Sequence, residues 1–124
     1  MADFKAWDVV AVPFPYTDRP VRERRPALVI GAGDIRDRHG LLWVMMITSA
    51  ANRGWPGDIA ISNPEAAGLP APSVVRTAKV ATIEAKEAER LGSLPAKDRG
   101  AVRKQLLSII AQTLEGRGPG GARG

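Results

Sequence analysis

Cysteine is absent from the 124 residues and histidine occurs once, as His39. These two gaps remove disulfide scaffolds, thiol nucleophiles and Cys-ligated zinc. They also leave no second imidazole for a shared metal shell, and a lone His39 in the turn-like "RDRHG" reads as a solvated loop residue, not a triad member. No long apolar run is present either. The longest, "LLWVMMI" at residues 41–47, is far short of the roughly 18 residues a membrane span needs, so no membrane partner is expected. The opening "MADFKAWDVV" has neither the basic segment nor the apolar stretch of a secretory signal, and a cytoplasmic protein is expected. "GAGDIRDRHG" lacks the spacing of a glycine-rich phosphate cradle. No metal or cofactor is expected, and no internal repeat is visible.

What is present is enough chain for one modest core. Residues 1–115 read as a single domain, and 116–124, ending in "RGPGGARG", as a disordered tail. Eighteen Lys and Arg against 13 Asp and Glu give a formal charge of +5, which favours polyanions as partners. Arginine far outnumbers lysine, and its planar fork suits phosphate oxygens.

Along the chain, "WDVVAVPF" at 7–14 predicts a short strand closed off by Pro13 and Pro15. "PYTDRPVRERR" at 15–25 is a charged connection without apolar period. "PALVI" and "LLWVMMITS" read as central strands buried on both faces, because their apolar residues run continuously. "GAGDIRDRHG" between them has turn composition. "DIAIS" predicts a brief strand, and "SVVRTAKVATI" at 73–83 one or two more, with Arg76 and Lys79 breaking the apolar pattern. Five or so short strands with irregular loops suggest a small barrel. "EAKEAERLG" predicts a short helix stopped by Gly92, and "PAKDRGAVRKQLLSIIAQTLEG" a long one between Pro95 and Gly116. Its Val102, Leu106, Ile109, Ile110 and Leu114 fall on one stripe, read as core packing. Trp7 and Trp43, inside strands, are read as core.

One constellation carries chemistry. Arg25 stands at the entrance of one central strand, with Pro26 at the junction, and Thr48 with Ser49 at the exit of another. Antiparallel neighbours bring an entrance and an exit to the same end of a sheet, so a guanidinium and two hydroxyls converge there as an anion site. The plainer alternative is that Arg22, Arg24 and Arg25 are a solvated charge run and "ITSA" a simple strand end.

The ordered set "WDVVAVPFPYTD", "RRPALVI", "VMMITSA", "GDIAIS", "AAGLPAPSVVRTAKVATI" and "LGSLPAKDRGAVRKQL" resembles the PemK/MazF family of type II toxins over most of residues 5–114. The resemblance implies a small SH3-like β-barrel, mainly β with α, carrying a C-terminal helix. It implies an endoribonuclease that cuts single-stranded RNA without metal, leaving a 2′,3′-cyclic phosphate and a 5′-hydroxyl. It further implies a homodimer with its RNA groove at the subunit interface, blocked by a cognate antitoxin. Residue by residue, the positions on which family catalysis centres fall on Arg25 and Thr48, the first stabilising the phosphate transition state and the second, with Ser49, orienting it. Arg22, Arg24, Arg53 and Arg76 are candidates to track the RNA backbone, and Tyr16 and Trp55 to stack bases. Against this, Arg76 could simply pair with a carboxylate, and Trp55 could cover a barrel end. One departure stands out: where some members carry an acid two positions after the "VVR" arginine, this chain has Ala78. The general base is therefore unassigned, with Asp18, Asp58 and Glu65 the nearest loop carboxylates. A non-catalytic toxin on the same fold, such as a DNA gyrase inhibitor, and an RNA-binding module without toxicity remain alternatives.

Overall fold

The computed structural model describes residues 3–14, 23–52 and 54–116. Tyr16, Asp18, Arg22, Arg53 and residues 117–124 lie outside the described residues. In chain order the elements are β1 (Asp8–Phe14), β2 (Glu23–Gly31), α1 (Gly33–His39), β3 (Leu41–Ser49), β4 (Ile59–Ala60), β5 (Ser73–Glu84), a short 3-10 turn (Ala85–Glu87), β6 (Glu89–Ser93) and α2 (Ala96–Glu115). The strands form one antiparallel sheet in the order β4-β5-β3-β2-β1-β6. The sheet curls into a half-barrel, closed on one side by the C-terminal helix.

The continuous apolar runs of β2 and β3 are buried on both faces, as their pattern predicts. One face of the sheet sets Val9, Leu28, Met45, Ile47 and Val75 against Val102 of α2, with Leu94 and Ile61 beside them. The other sets Val10, Val12, Ala27, Val29, Val44 and Met46 against Phe4.

Two sequence-based expectations fail on secondary structure. Residues 33–39 form a helix and not a turn: Asp34 in its first turn and Arg36, Arg38 and His39 in its last match the helix dipole, and Gly40 closes it in the left-handed conformation. The segment 84–92 is not an α-helix and holds only the single 3-10 turn Ala85–Glu87. Its end is strand β6, which pairs with the outer edge of β1 (Asp8 with Ser93, Val9 with Gly92, Val10 with Arg90). Helix preference of Ala, Glu and Lys amounts to a fraction of a kcal/mol per residue, and a strand position on an open sheet edge overrides it. Gly92 serves close approach and stops no helix: a Cβ there would stand 2.6 Å from the Ala67 carbonyl carbon.

Three finer expectations also change. β1 ends at Phe14 as expected, but Pro13 does not block pairing: it faces Arg24 of β2 and lies past the stretch of β1 paired with β6, where a missing N–H is tolerated. Trp43 is 48% exposed, lying against Gly31, and Trp7 stands not in a strand but in the turn before β1, at φ +79°, from which it packs on the core rim. On α2 the apolar stripe is core only at its start: Val102 is buried and Leu106 half-buried, whereas Ile110 is exposed and Leu114 is 81% exposed. The helix meets β4 and β5, and from Ile110 onward it is exposed. Pro95 and Gly116 do bound it as expected.

Two irregularities shape one end of the sheet. Pro26 lies inside β2, three residues after its start, facing Ala11 of β1, while pairing with β3 begins only at Ala27 with Met46. Proline has no N–H to offer a second ladder, so β2 and β3 are unzipped beyond it. On the other flank, β5 advances from Val80, opposite Met45, to Arg76, opposite Met46. Thr77, Ala78 and Lys79 form an outsized bulge across that single step.

Candidate functional site

Continuing the β2–β3 register past Ala27 and Met46 sets Arg25 across from Thr48, on the sheet face that also carries Met46 and Arg76. A cleft of about 180 Å³ opens there, lined by Arg25, Met46, Ile47, Thr48, Asn52, Arg76 and Lys79. Its position follows from the two irregularities: Pro26 parts the strands on one side, and the β5 bulge turns Arg76 and Lys79, three residues apart, into the same space.

Each polar group of the lining is held. Asn52 Nδ2 donates to Thr48 Oγ1 at 2.5 Å, which orients the hydroxyl. Arg25 is half-buried, with Nη1 3.5 Å from Glu23 Oε1 at the exposed rim, a pair of small energetic weight. Arg76 is only 9% exposed. Its Nε donates to Asp58 Oδ1 at 3.2 Å and its Nη2 to Asp58 Oδ2 at 2.9 Å, and the Trp55 ring lies over its guanidinium at 4.2 Å. Burial pushes the Asp58 carboxyl up. The hydrogen bonds from Arg76 and from the Trp55 N–H, with the attraction of the guanidinium, outweigh that and hold it below the ordinary carboxylate range.

The cleft thus gathers Arg25, Thr48 and Arg76 of the residues singled out in the sequence, with Trp55 placed beside it through Arg76. It does not gather Arg24 or Ser49. Arg24 turns toward the other edge of the sheet, its Nη2 donating to Ala11 O at 3.0 Å and Glu87 O at 3.4 Å and lying 3.6 Å from Glu89. Ser49 Oγ accepts from Ala51 N at 3.1 Å and closes the turn after β3. Asn52 and Lys79 were missed. Lys79 had left a signal, since it interrupts an apolar strand pattern; Asn52 had left none. Among the described residues no carboxylate lines the cleft. Glu65 lies in the loop after β4, and Ala78 is exposed on the bulge.

A larger cavity, about 860 Å³, lies at the opposite end of β3, between Phe4, Leu41, His39 and Ala85. Its charges are mixed and mutually engaged: Arg36 donates to Asp37 and to Phe4 O, and Lys86 pairs with Glu84. His39 is exposed there, at the end of α1 and not in a loop. By contrast, the small cleft presents three cations, a hydroxyl and an amide together, the donor set that suits a phosphate. Among the described residues no group of His, Cys, Asp or Glu is placed to hold a metal ion, and no helix is long and apolar enough to cross a membrane.

Fold and cleft together define a small half-barrel protein with a cation-lined opening at one end of its sheet. Residues 5–110 match the family model described as PemK-like, MazF-like toxin of type II toxin-antitoxin system. The chain belongs to that toxin family. Among solved structures, it is similar to MazF from Deinococcus radiodurans (TM-score 0.72, 25% identity, covering 90% of this chain and 99% of that one). A MazE-MazF structure from the same organism gives a TM-score of 0.68 at 27% identity, covering 89% and 97%. The Mycobacterium tuberculosis toxin MazF-mt6 shares the fold at 21% identity, with a TM-score of 0.66 and coverage of 84% and 96%. Comparison with curated protein sequences gives no match.

Proposed function

We propose that this toxin is an endoribonuclease that cuts single-stranded RNA without a metal, with Arg25 and Thr48 at the reacting phosphate. The observation that carries the reading is the meeting of Arg25, Thr48, Arg76 and Lys79 around one cleft at the unzipped end of β2 and β3. In the reaction the ribose 2′-oxygen attacks the adjacent phosphorus. The 2′-O–P bond forms as the bond to the 5′-oxygen breaks, leaving a 2′,3′-cyclic phosphate and a 5′-hydroxyl. Negative charge grows on the non-bridging oxygens, and Arg25, fixed by a strand and not a loop, stabilises it. A guanidinium acts as a fixed hydrogen-bond fork and not as a proton shuttle, so the role of Arg25 is electrostatic. Thr48, oriented by Asn52, holds the phosphate. Asp58 is committed to Arg76, so solvent accepts the 2′-proton and returns one to the 5′-oxygen. Lys79 follows the backbone, and Trp55, backed by Arg76, offers a stacking surface.

The partner reading is a cognate antitoxin that occludes the cleft, supported by the MazE-MazF likeness. A homodimer completes the RNA groove.

The cleft lining, which has no carboxylate among the described residues, favours a second reading: a toxin that binds without cutting, such as a DNA gyrase inhibitor. Incubating the purified protein with a long RNA in EDTA and mapping new 5′-hydroxyl ends separates the two. Cuts at a short common sequence, reduced a hundredfold or more by Arg25→Ala as expected for loss of one transition-state donor (about 3 kcal/mol), support the nuclease. Intact RNA with inhibited DNA supercoiling supports the other.

A further inference from the structure

Asp58, Arg76 and Trp55 form a unit whose features core packing does not explain. Trp55 belongs to neither hydrophobic cluster and stays 43% exposed. It is nevertheless fixed: its ring lies on the Arg76 guanidinium and its backbone N–H donates to Asp58 Oδ2 at 2.9 Å. The Asp58 N–H in turn donates to Trp55 O at 3.1 Å. The turn is held from beneath, where Thr77 Oγ1 donates to Gly57 O at 2.9 Å. Gly57 has φ +91°, and a Cβ there would come within 3.0 Å of Thr77 Oγ1 and of Gln105 Nε2. A buried ion pair is a poor device for stability alone, since well-packed apolar residues serve as well or better. As a device for holding a cation and an aromatic plane at the wall of a cleft, it is well suited.

We infer that Asp58 is a positioning residue for substrate: through Arg76 and Trp55 it fixes a guanidinium-indole wall against which an unpaired RNA base stacks beside the cleft. This rests on the reading of the cleft as an RNA site. Asp58 balances Arg76, one of the three lining cations, and commits its guanidinium to the indole. The exposed part of the indole meets the base, a surface tolerant of base identity because every base has a π-face. Arg76 polarises that platform from behind.

The test uses the purified full chain and a labelled single-stranded RNA oligonucleotide with fluorine in place of each 2′-hydroxyl, which has no nucleophile. Kd is read by anisotropy and tryptophan emission in parallel, with thermal unfolding as the folding control. Wild type is expected to bind with quenched emission. Asp58→Asn and Trp55→Leu are each expected to raise Kd about tenfold and to remove the quench while remaining folded. A folded Asp58→Asn that keeps both the wild-type Kd and the quench overturns the inference. Where Asp58→Asn does not fold, Trp55→Leu decides, and an unchanged Kd overturns it. Wild type that shows the Trp55-dependent quench but leaves ordinary RNA uncut removes the nuclease reading and supports the clamp. Asp58→Asn that binds normally, beside an Arg25→Ala that no longer cuts, keeps the nuclease and overturns the clamp. Absence of any binding by wild type overturns both.

Discussion

Arg25 and Arg76 line the same cleft, yet their surroundings divide the work between them. Arg76 is buried and doubly bonded to Asp58, whereas Arg25 faces a rim glutamate at 3.5 Å across partly solvated space. Asp58 also ties the site to acid stability. Its carboxyl is held below the ordinary range in the folded chain, so the folded state binds a proton less readily than the unfolded one. The stabilisation is fully present above the unfolded carboxylate value of about 3.9 and is lost as pH falls through the lower folded value. Wild type is therefore expected to lose unfolding free energy below about pH 4 more steeply than Asp58→Asn, measured by denaturant titrations from pH 6 to 2.5. Parallel curves would remove Asp58 from the account. The sequence showed Arg25 and Thr48 as the ends of two strands and Arg76 as a break in an apolar pattern. It did not show the 18-residue reach from Asp58 to Arg76, because the pairing depends on a turn and a bulge with no periodic signature.

Among the elements, β2, β3 and α2 were legible because their signals are long: continuous apolar runs, and a helix bounded by Pro95 and Gly116. Elements with short or conflicting signals were not. The seven residues of α1 read as a turn from their glycine and aspartate, and β6 read as helix because its pairing with β1 is invisible to local propensity. The far end of α2 carries a helical stripe that meets nothing in the sheet, since periodicity reports a face and not what covers it. Gly92 tests the revised view of β6. A side chain there meets the Ala67 backbone at 2.6 Å, so Gly92→Ala is expected to destabilise the fold by about 1–3 kcal/mol, read from urea unfolding.

At the scale of the whole molecule, a formal charge of +5 is modest, and the cleft concentrates three of the cations. Binding of single-stranded RNA releases counterions in proportion to the phosphates neutralised, with a slope of about −0.7 per contact. On the proposed reading, in which two to three cations of the cleft meet phosphates, a plot of log K against log salt is expected to fall with a slope of about −1.4 to −2. Lys79→Ala is expected to reduce its magnitude by about 0.7. Equilibrium titrations at several salt concentrations check this; a slope near −5 would mean that the basic surface at large, and not the cleft, binds RNA.

An imino acid in the middle of β2 gives the half-barrel a gradient of cohesion. From Ala27 inward, β2 is stitched to both β1 and β3. Outward from Pro26 one seam is missing, so that end separates at far lower free energy. The cleft end of the sheet can therefore yield to an incoming chain while the rest stays shut, and whatever occupies it serves as the absent seam.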